Sequence, residues 1–154
     1  MPDGENSLLV EVCASLKEVD KTAWDACAGA ENPFVSYDFL CSLEESGSVR
    51  AETGWLPQHL LLRDSAGCLL AAMPLYLKGH SQGEYIFDHS WAHAYESAGG
   101  QYYPKLLSAV PFTPVPGPRL LTAATPDPAA ATQYLISAMA QLVERHGVSS
   151  LHVN

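Results

Sequence analysis

With 154 residues, 47% of them hydrophobic and 16% charged, the chain has the balance of an ordered globular protein and not of a disordered one. A single domain is expected, and one of this size buries roughly 70% of its unfolded surface. The formal charge of −9, with only eight lysines and arginines and no two adjacent, argues against DNA and against acidic membrane surfaces as partners, because phosphates demand clustered cations.

Residues 7–12 alternate weakly and predict a first strand. Over 15–28, Leu16, Val19, Ala23, Trp24 and Cys27 share one helical face, and Gly29 is placed to stop the helix. Asn32 and Pro33 mark a turn. Ser36 is a good N-cap for a helix that turns Phe39, Leu40 and Leu43 inward and stops at Ser46-Gly47. Residues 58–63 and 68–77 read as the two strands of a hairpin turning at 64–67, and Pro74 predicts an edge position or a bulge in the second. A short strand is expected at 84–87, a short helix at 90–98 ended by Gly99-Gly100, and a strand at 105–110. Pro111, Pro114, Pro116 and Pro118 then require a rigid loop or a strand broken open, because proline cannot donate to a ladder. The longest predicted helix is 128–146, with Ala131, Leu135, Ile136, Met139, Leu142 and Val143 in one stripe and Gly147 as its stop. A strand at 149–153 follows. This order predicts a mixed α/β sheet in which the last two strands flank a packed helix.

The cysteines at 13, 27, 41 and 68 form no C-x-x-C pair and have small or apolar neighbours. They read as reduced, mostly buried thiols, which fits the cytoplasm. The first residues show neither a basic stretch nor an apolar run of signal length, so secretion is not expected. The longest apolar run, 68–74, is too short to span a bilayer.

Between 76 and 121 aromatic and ionisable residues stand together, although aromatics belong in cores and charges in water. A pocket needs both. Asp88 and His89 place a carboxylate beside an imidazole, with Glu84 as a second carboxylate, and suit acid/base work. Neighbours in a strand face opposite ways, so one of Asp88 and His89 would meet a pocket. Tyr85, Trp91, His93 and Tyr95 are the companion binding candidates. In the plainer reading the aromatics pack and Asp88 caps the next helix. His89 and His93, four apart, could hold a metal with Asp88 or Glu84. No H-E-x-x-H or nearby cysteine supports that, and no metal is expected. No G-x-S-x-G, no cysteine beside a histidine, and no dinucleotide or P-loop fingerprint is present. The proline loop is a second candidate region, with Phe112 and Thr113 in it and Arg119 at its end able to meet a carboxylate or phosphate. A plain surface salt bridge is the alternative for Arg119.

Residues 32–49 (NPFVSYDFLCSLEESGSV), 53–64 (TGWLPQHLLLRD), 71–121, and the helix before SSLHVN at 149–154 together resemble the bacterial FemAB-like proteins. These are peptidoglycan biosynthesis or recognition proteins of the GNAT acyltransferase superfamily. The motifs MPLYLK, GEYIFD and PFTPVPGPRLL make the resemblance specific to the family. It implies an α/β (α+β) GNAT-like fold: a mixed, mostly antiparallel, splayed sheet flanked by helices. The fourth and fifth strands would lie at about 105–121 and 149–153, around the helix at 128–146.

The resemblance further implies acyl or aminoacyl transfer to an amine acceptor, such as a peptidoglycan precursor, from acyl-CoA or aminoacyl-tRNA. In such a reaction the amine attacks directly, so the enzyme supplies positioning, a proton acceptor and an oxyanion donor, and no nucleophile. On this reading Asp88, His89 and Glu84 are catalytic candidates, and Trp91, His93, Tyr95, Tyr85, Phe112, Thr113 and Arg119 bind substrate. Family members carry a second GNAT-like half. The chain, ending after the fifth strand, is therefore expected to supply the first half, beside that second half or a dimer mate. A non-catalytic module that binds a cell-wall precursor or a partner chain is the competing expectation.

Overall fold

Two sheets are built from one bent hairpin. The computed structural model describes residues 7–85 and 87–154. Strands β1 (Leu9–Cys13), β3 (His59–Arg63) and β4 (Leu69–Met73) form an antiparallel sheet in the order β1-β3-β4. Strands β2 (Trp55–Pro57), β5 (Tyr76–Lys78), β6 (Lys105–Ser108) and β7 (Leu151–Val153) form the second, in the order β2-β5-β6-β7, with β6 and β7 parallel. Only Gln58 separates β2 from β3, and only Pro74 and Leu75 separate β4 from β5. Pro74 has no N–H for the ladder, so the strand expected over 68–77 breaks there. The Gln58 N–H bridges the gap by donating to the Leu75 carbonyl at 2.8 Å.

His59 stands at this joint, fully buried. Its Nδ1 accepts from the Leu75 N–H at 3.2 Å, so Nε2 carries the hydrogen and donates to Glu44 Oε2 at 3.0 Å. The other oxygen of Glu44 takes the Leu16 N–H at 3.0 Å.

The helices cover the three-stranded sheet on both sides. Successive residues of a strand face opposite ways. Leu61 therefore packs with Trp24 of α1 (Lys21–Ala28) and Leu40 of α2 (Tyr37–Glu45). Leu60 and Leu62 pack with Leu135, Met139 and Leu142 of α4 (Pro128–His146). Coverage on both faces explains why β3 reads as an unbroken apolar run. Asp127 caps α4 by accepting the Ala130 N–H at 3.1 Å, Pro128 opens it, and Gly147 ends it in the left-handed region at φ 62°. With β6 and β7 it makes a strand–helix–strand unit, the part of the expected GNAT-like arrangement that carries its parallel pair.

Several expected boundaries moved. The helix read over 15–28 is a 3₁₀ turn at Leu16–Glu18 followed by α1, because Ser15 and Asp20 each cap a separate start. The strand β2 was not expected. Residues 105–110 and 149–153 pair over shorter spans, β6 and β7. Of the strand expected at 84–87, Ile86 lies outside the described residues, and Glu84, Tyr85 and Phe87 belong to no strand. The short helix is α3 (His89–Ser97).

Candidate functional site

The site starts from a conflict of charge in the four-stranded sheet. Residues two apart on a strand share a face, so Tyr76 and Lys78 point together, as do Lys105 and Leu107. The register sets Trp55 opposite Lys78, Lys78 opposite Lys105, and Leu107 opposite His152. Two lysines thus meet side by side, Lys78 fully buried and Lys105 nearly so. Like charges directly opposed destabilise a sheet, and a buried ammonium requires a partner.

The chain between the two lysines resolves the conflict. It leaves β5 and doubles back so that Glu84 pairs with Lys78 and Asp88 with Lys105. Lys78 Nζ also lies 3.8 Å over the Trp55 ring, a cation–π contact. Asp88 accepts from the hydroxyls of both Tyr102 and Tyr103. Lys105 Nζ donates to Tyr102 Oη at 3.0 Å, and Tyr103 Oη lies 2.6 Å from Ser81 Oγ. Burial by itself would raise the Asp88 carboxyl, but its bonds from Lys105 and the two phenols outweigh it and hold the carboxyl well below the usual range. Burial and the Asp88 carboxylate push both phenols up. Burial lowers the Lys78 ammonium, an effect that Glu84 opposes.

Above this clasp α3 buries only Ala92, and between helix and sheet lies a cavity of about 410 Å³. Its floor is Trp55, Lys105 and Leu107. One wall is Glu84, Phe87, Asp88, Trp91 and Tyr95, and another Val110, Phe112, Thr113 and His152. Ala109 after β6 and Asn154 after β7 also line it, which puts it at the carboxyl end of the parallel pair, where open sheets commonly bind ligands.

Phe112 adopts a left-handed φ of 63°, and its ring centroid lies 5.5 Å from that of Trp55. Gly100 leaves room for Tyr95, whose Cε1 would lie 2.3 Å from an added Cβ. The Trp55 indole N–H and the Tyr76 hydroxyl are buried without a hydrogen-bond partner among the described residues. His152 Nε2 lies 2.9 Å from Ser150 Oγ. The histidine is exposed, and partial desolvation, and then the charge of Lys105, lower its pKa below the usual imidazole value.

The sequence pattern of the FemAB-like family, described as peptidoglycan biosynthesis/recognition, matches residues 15–154. The chain belongs to the FemAB-like family. That gives it a role in peptidoglycan biosynthesis or recognition, and the match takes in every residue lining the cavity. Neither the curated proteins nor the solved structures compared with it gave a match.

Of the residues expected at a site, Glu84, Asp88, Trp91, Tyr95, Phe112 and Thr113 line the cavity of this FemAB-like chain, and His89, His93, Tyr85 and Arg119 do not. His89 is exposed and stacks on Phe87 with ring centroids 5.2 Å apart. His93 is exposed, and Tyr85 is 84% exposed. Asp88 does not cap α3 with its side chain, since that carboxylate is held by Lys105 and the two tyrosines.

Arg119 corrects both of its readings. It is buried, and it donates to the carbonyls of Val115 and Asn154 at 2.6 Å each and of Pro118 at 3.3 Å. A proline-rich loop supplies carbonyls in excess of donors, and Arg119 meets them. Among the described residues no group of three or more His, Cys, Asp or Glu gathers to hold a metal, and no helix is long and apolar enough to cross a membrane.

Sequence reasoning missed Trp55, Lys78, Tyr102, Tyr103, Lys105 and His152. The available signal was a lysine set into otherwise apolar strands, in MPLYLK and in YPKLLS, since a lysine there must bring its own carboxylate.

Proposed function

We propose that this FemAB-like chain forms the acceptor side of an acyl or aminoacyl transfer to an amine of a peptidoglycan precursor, and that the cavity receives the acceptor. The observation that carries the reading is a cavity lining that holds the Lys105 amino group, fixed by a carboxylate and a phenol, together with the His152 imidazole on the next strand.

The amine nitrogen attacks the carbonyl carbon of the activated ester or thioester. The N–C bond forms and the electron pair moves onto oxygen. Lys105 gives two hydrogens to Asp88 and Tyr102, and the third is free to meet that oxyanion. His152 takes the proton from the amine and returns it to the leaving group as the C–O or C–S bond breaks. Asp88 is then a positioning residue that acts through Lys105, and Glu84 does the same for Lys78. Acyl-CoA or aminoacyl-tRNA is the donor in this scheme, and a second GNAT-like half or a dimer mate completes its site. Four free cysteines, three of them buried, fit a cytoplasmic location.

One observation favours the binding-module alternative: both carboxylates first read as catalytic are already engaged by lysines. Calorimetry separates the two. Binding of both acetyl-CoA or charged tRNA and a lysine-containing stem peptide supports transfer. Peptide binding without any donor moves the protein to the binding module, and silence toward all of them sinks both readings.

A further inference from the structure

We propose that the mouth of the cavity seats a neutral pyranose ring, stacked on Trp91; this rests on the acceptor-side reading and names the part of the acceptor that the chain grips.

The first argument is charge. The lysine of the lining, Lys105, has its own carboxylate in Asp88, and Lys78 beside it, outside the lining, has Glu84. A cationic ligand would have to displace Lys105 from Asp88. An anionic one would need a free cation, and Arg119, the nearest along the chain after β6, is engaged by three carbonyls. The cavity therefore suits a ligand without net charge where it meets the wall.

The second argument is the aromatic rim. Trp91 is 74% exposed although it lines the cavity, and Phe87 and Tyr95 are also exposed there. Trp91 and Tyr95 are four apart on α3 and so lie on one helix face. Large rings held in water at a cavity mouth offer flat faces of negative quadrupole. The axial C–H groups of a pyranose present a flat, weakly positive face that matches them.

The third argument is the polar set facing that rim. Thr113, Ser150 and Asn154, with the His152 imidazole, supply donors and acceptors on the opposite walls. Sugar hydroxyls both donate and accept, which suits such a mixture. The volume of about 410 Å³ lies within the roughly 300–1,000 Å³ of small-molecule sites.

The test titrates the full chain with the β-1,4 dimer of N-acetylglucosamine, following tryptophan emission and saturation-transfer NMR, and in parallel with a lysine-containing stem peptide that carries no sugar. Saturable disaccharide binding that weakens by about tenfold in Trp91→Ala and is largely kept in Trp91→Phe supports the proposal. Trp91 is exposed, so an unchanged circular dichroism melt certifies that both variants fold. Disaccharide binding unaltered in Trp91→Ala overturns the proposal. So does peptide binding with no disaccharide binding, which leaves the acceptor-side reading standing. Disaccharide binding alone keeps the sugar seat and removes the peptide amine from the cavity.

Discussion

The two halves of the bent hairpin hold together by opposite means. In the three-stranded half, β3 is sandwiched between α1 and α2 on one side and α4 on the other, and leucines fill both interfaces. In the four-stranded half, one face joins the same aliphatic layer through Leu106, while the other carries Lys78, Lys105, Tyr76 and Trp55. Apolar burial is non-directional, so each leucine contributes by its own area. Buried charges contribute only as matched pairs. The unit of stability is a residue in the first half and a pair in the second, and a cavity with a fixed polar wall can exist only in the second.

Breaking one pair should give the largest effect. Glu84→Ala leaves the Lys78 ammonium buried and unpaired, and urea unfolding should show a loss of about 3–5 kcal/mol. Replacing both partners, in Lys78→Met with Glu84→Leu, should restore stability to within about 1 kcal/mol of the parent or above it. A double variant as unstable as the single one would show that the lysine itself, and not the matching, holds the strap, the chain that runs between Lys78 and Lys105. The aliphatic packing that runs through both halves should behave otherwise. Leu61→Ala and Leu106→Ala each should lose about 2–5 kcal/mol, and no second substitution of similar volume nearby should rescue them as pair replacement does.

Acid sharpens the comparison further. The Asp88 carboxyl lies below its unfolded value. Its contribution is therefore fully present above the unfolded pKa of about 3.9 and is lost as the pH falls through the folded value. Stability followed by urea unfolding below about pH 4 should decline in the parent, and the decline should be shallower in Asp88→Asn. Leu106→Ala should shift the whole profile down without changing its slope. Equal slopes in parent and Asp88→Asn would remove Asp88 from the clasp.

The same contrast explains what the sequence disclosed. Period and caps show wherever area decides: the stripe of α4, Ser36 as a cap, and the hairpin around Asp64–Gly67 were all legible. The strap was legible only as a density of aromatic and acidic residues. Its logic depends on Lys78 facing Lys105 across two strands, and a register between segments separated by a long excursion has no local signature. His89 and Arg119 misled for a related reason. A titratable residue type announces potential chemistry, while its direction is set by neighbours, Phe87 for one and three carbonyls for the other.

The smallest effect asks whether the charged wall reaches the imidazole assigned as proton acceptor. Partial desolvation lowers the His152 pKa most and the charge of Lys105 lowers it next, so its NMR titration midpoint should fall below the usual value of about 6.5. Removing the pair together, in Lys105→Met with Asp88→Asn, takes away the second cause without leaving a buried charge alone. The midpoint should then rise only part of the way, because the desolvation remains. His89→Ala, on an exposed ring outside the cavity, should leave both that midpoint and the stability unchanged within about 0.5 kcal/mol. A His152 midpoint indifferent to the pair would mean that the clasp fixes the strap without tuning the cavity, and the proton-accepting role would have to rest on desolvation alone.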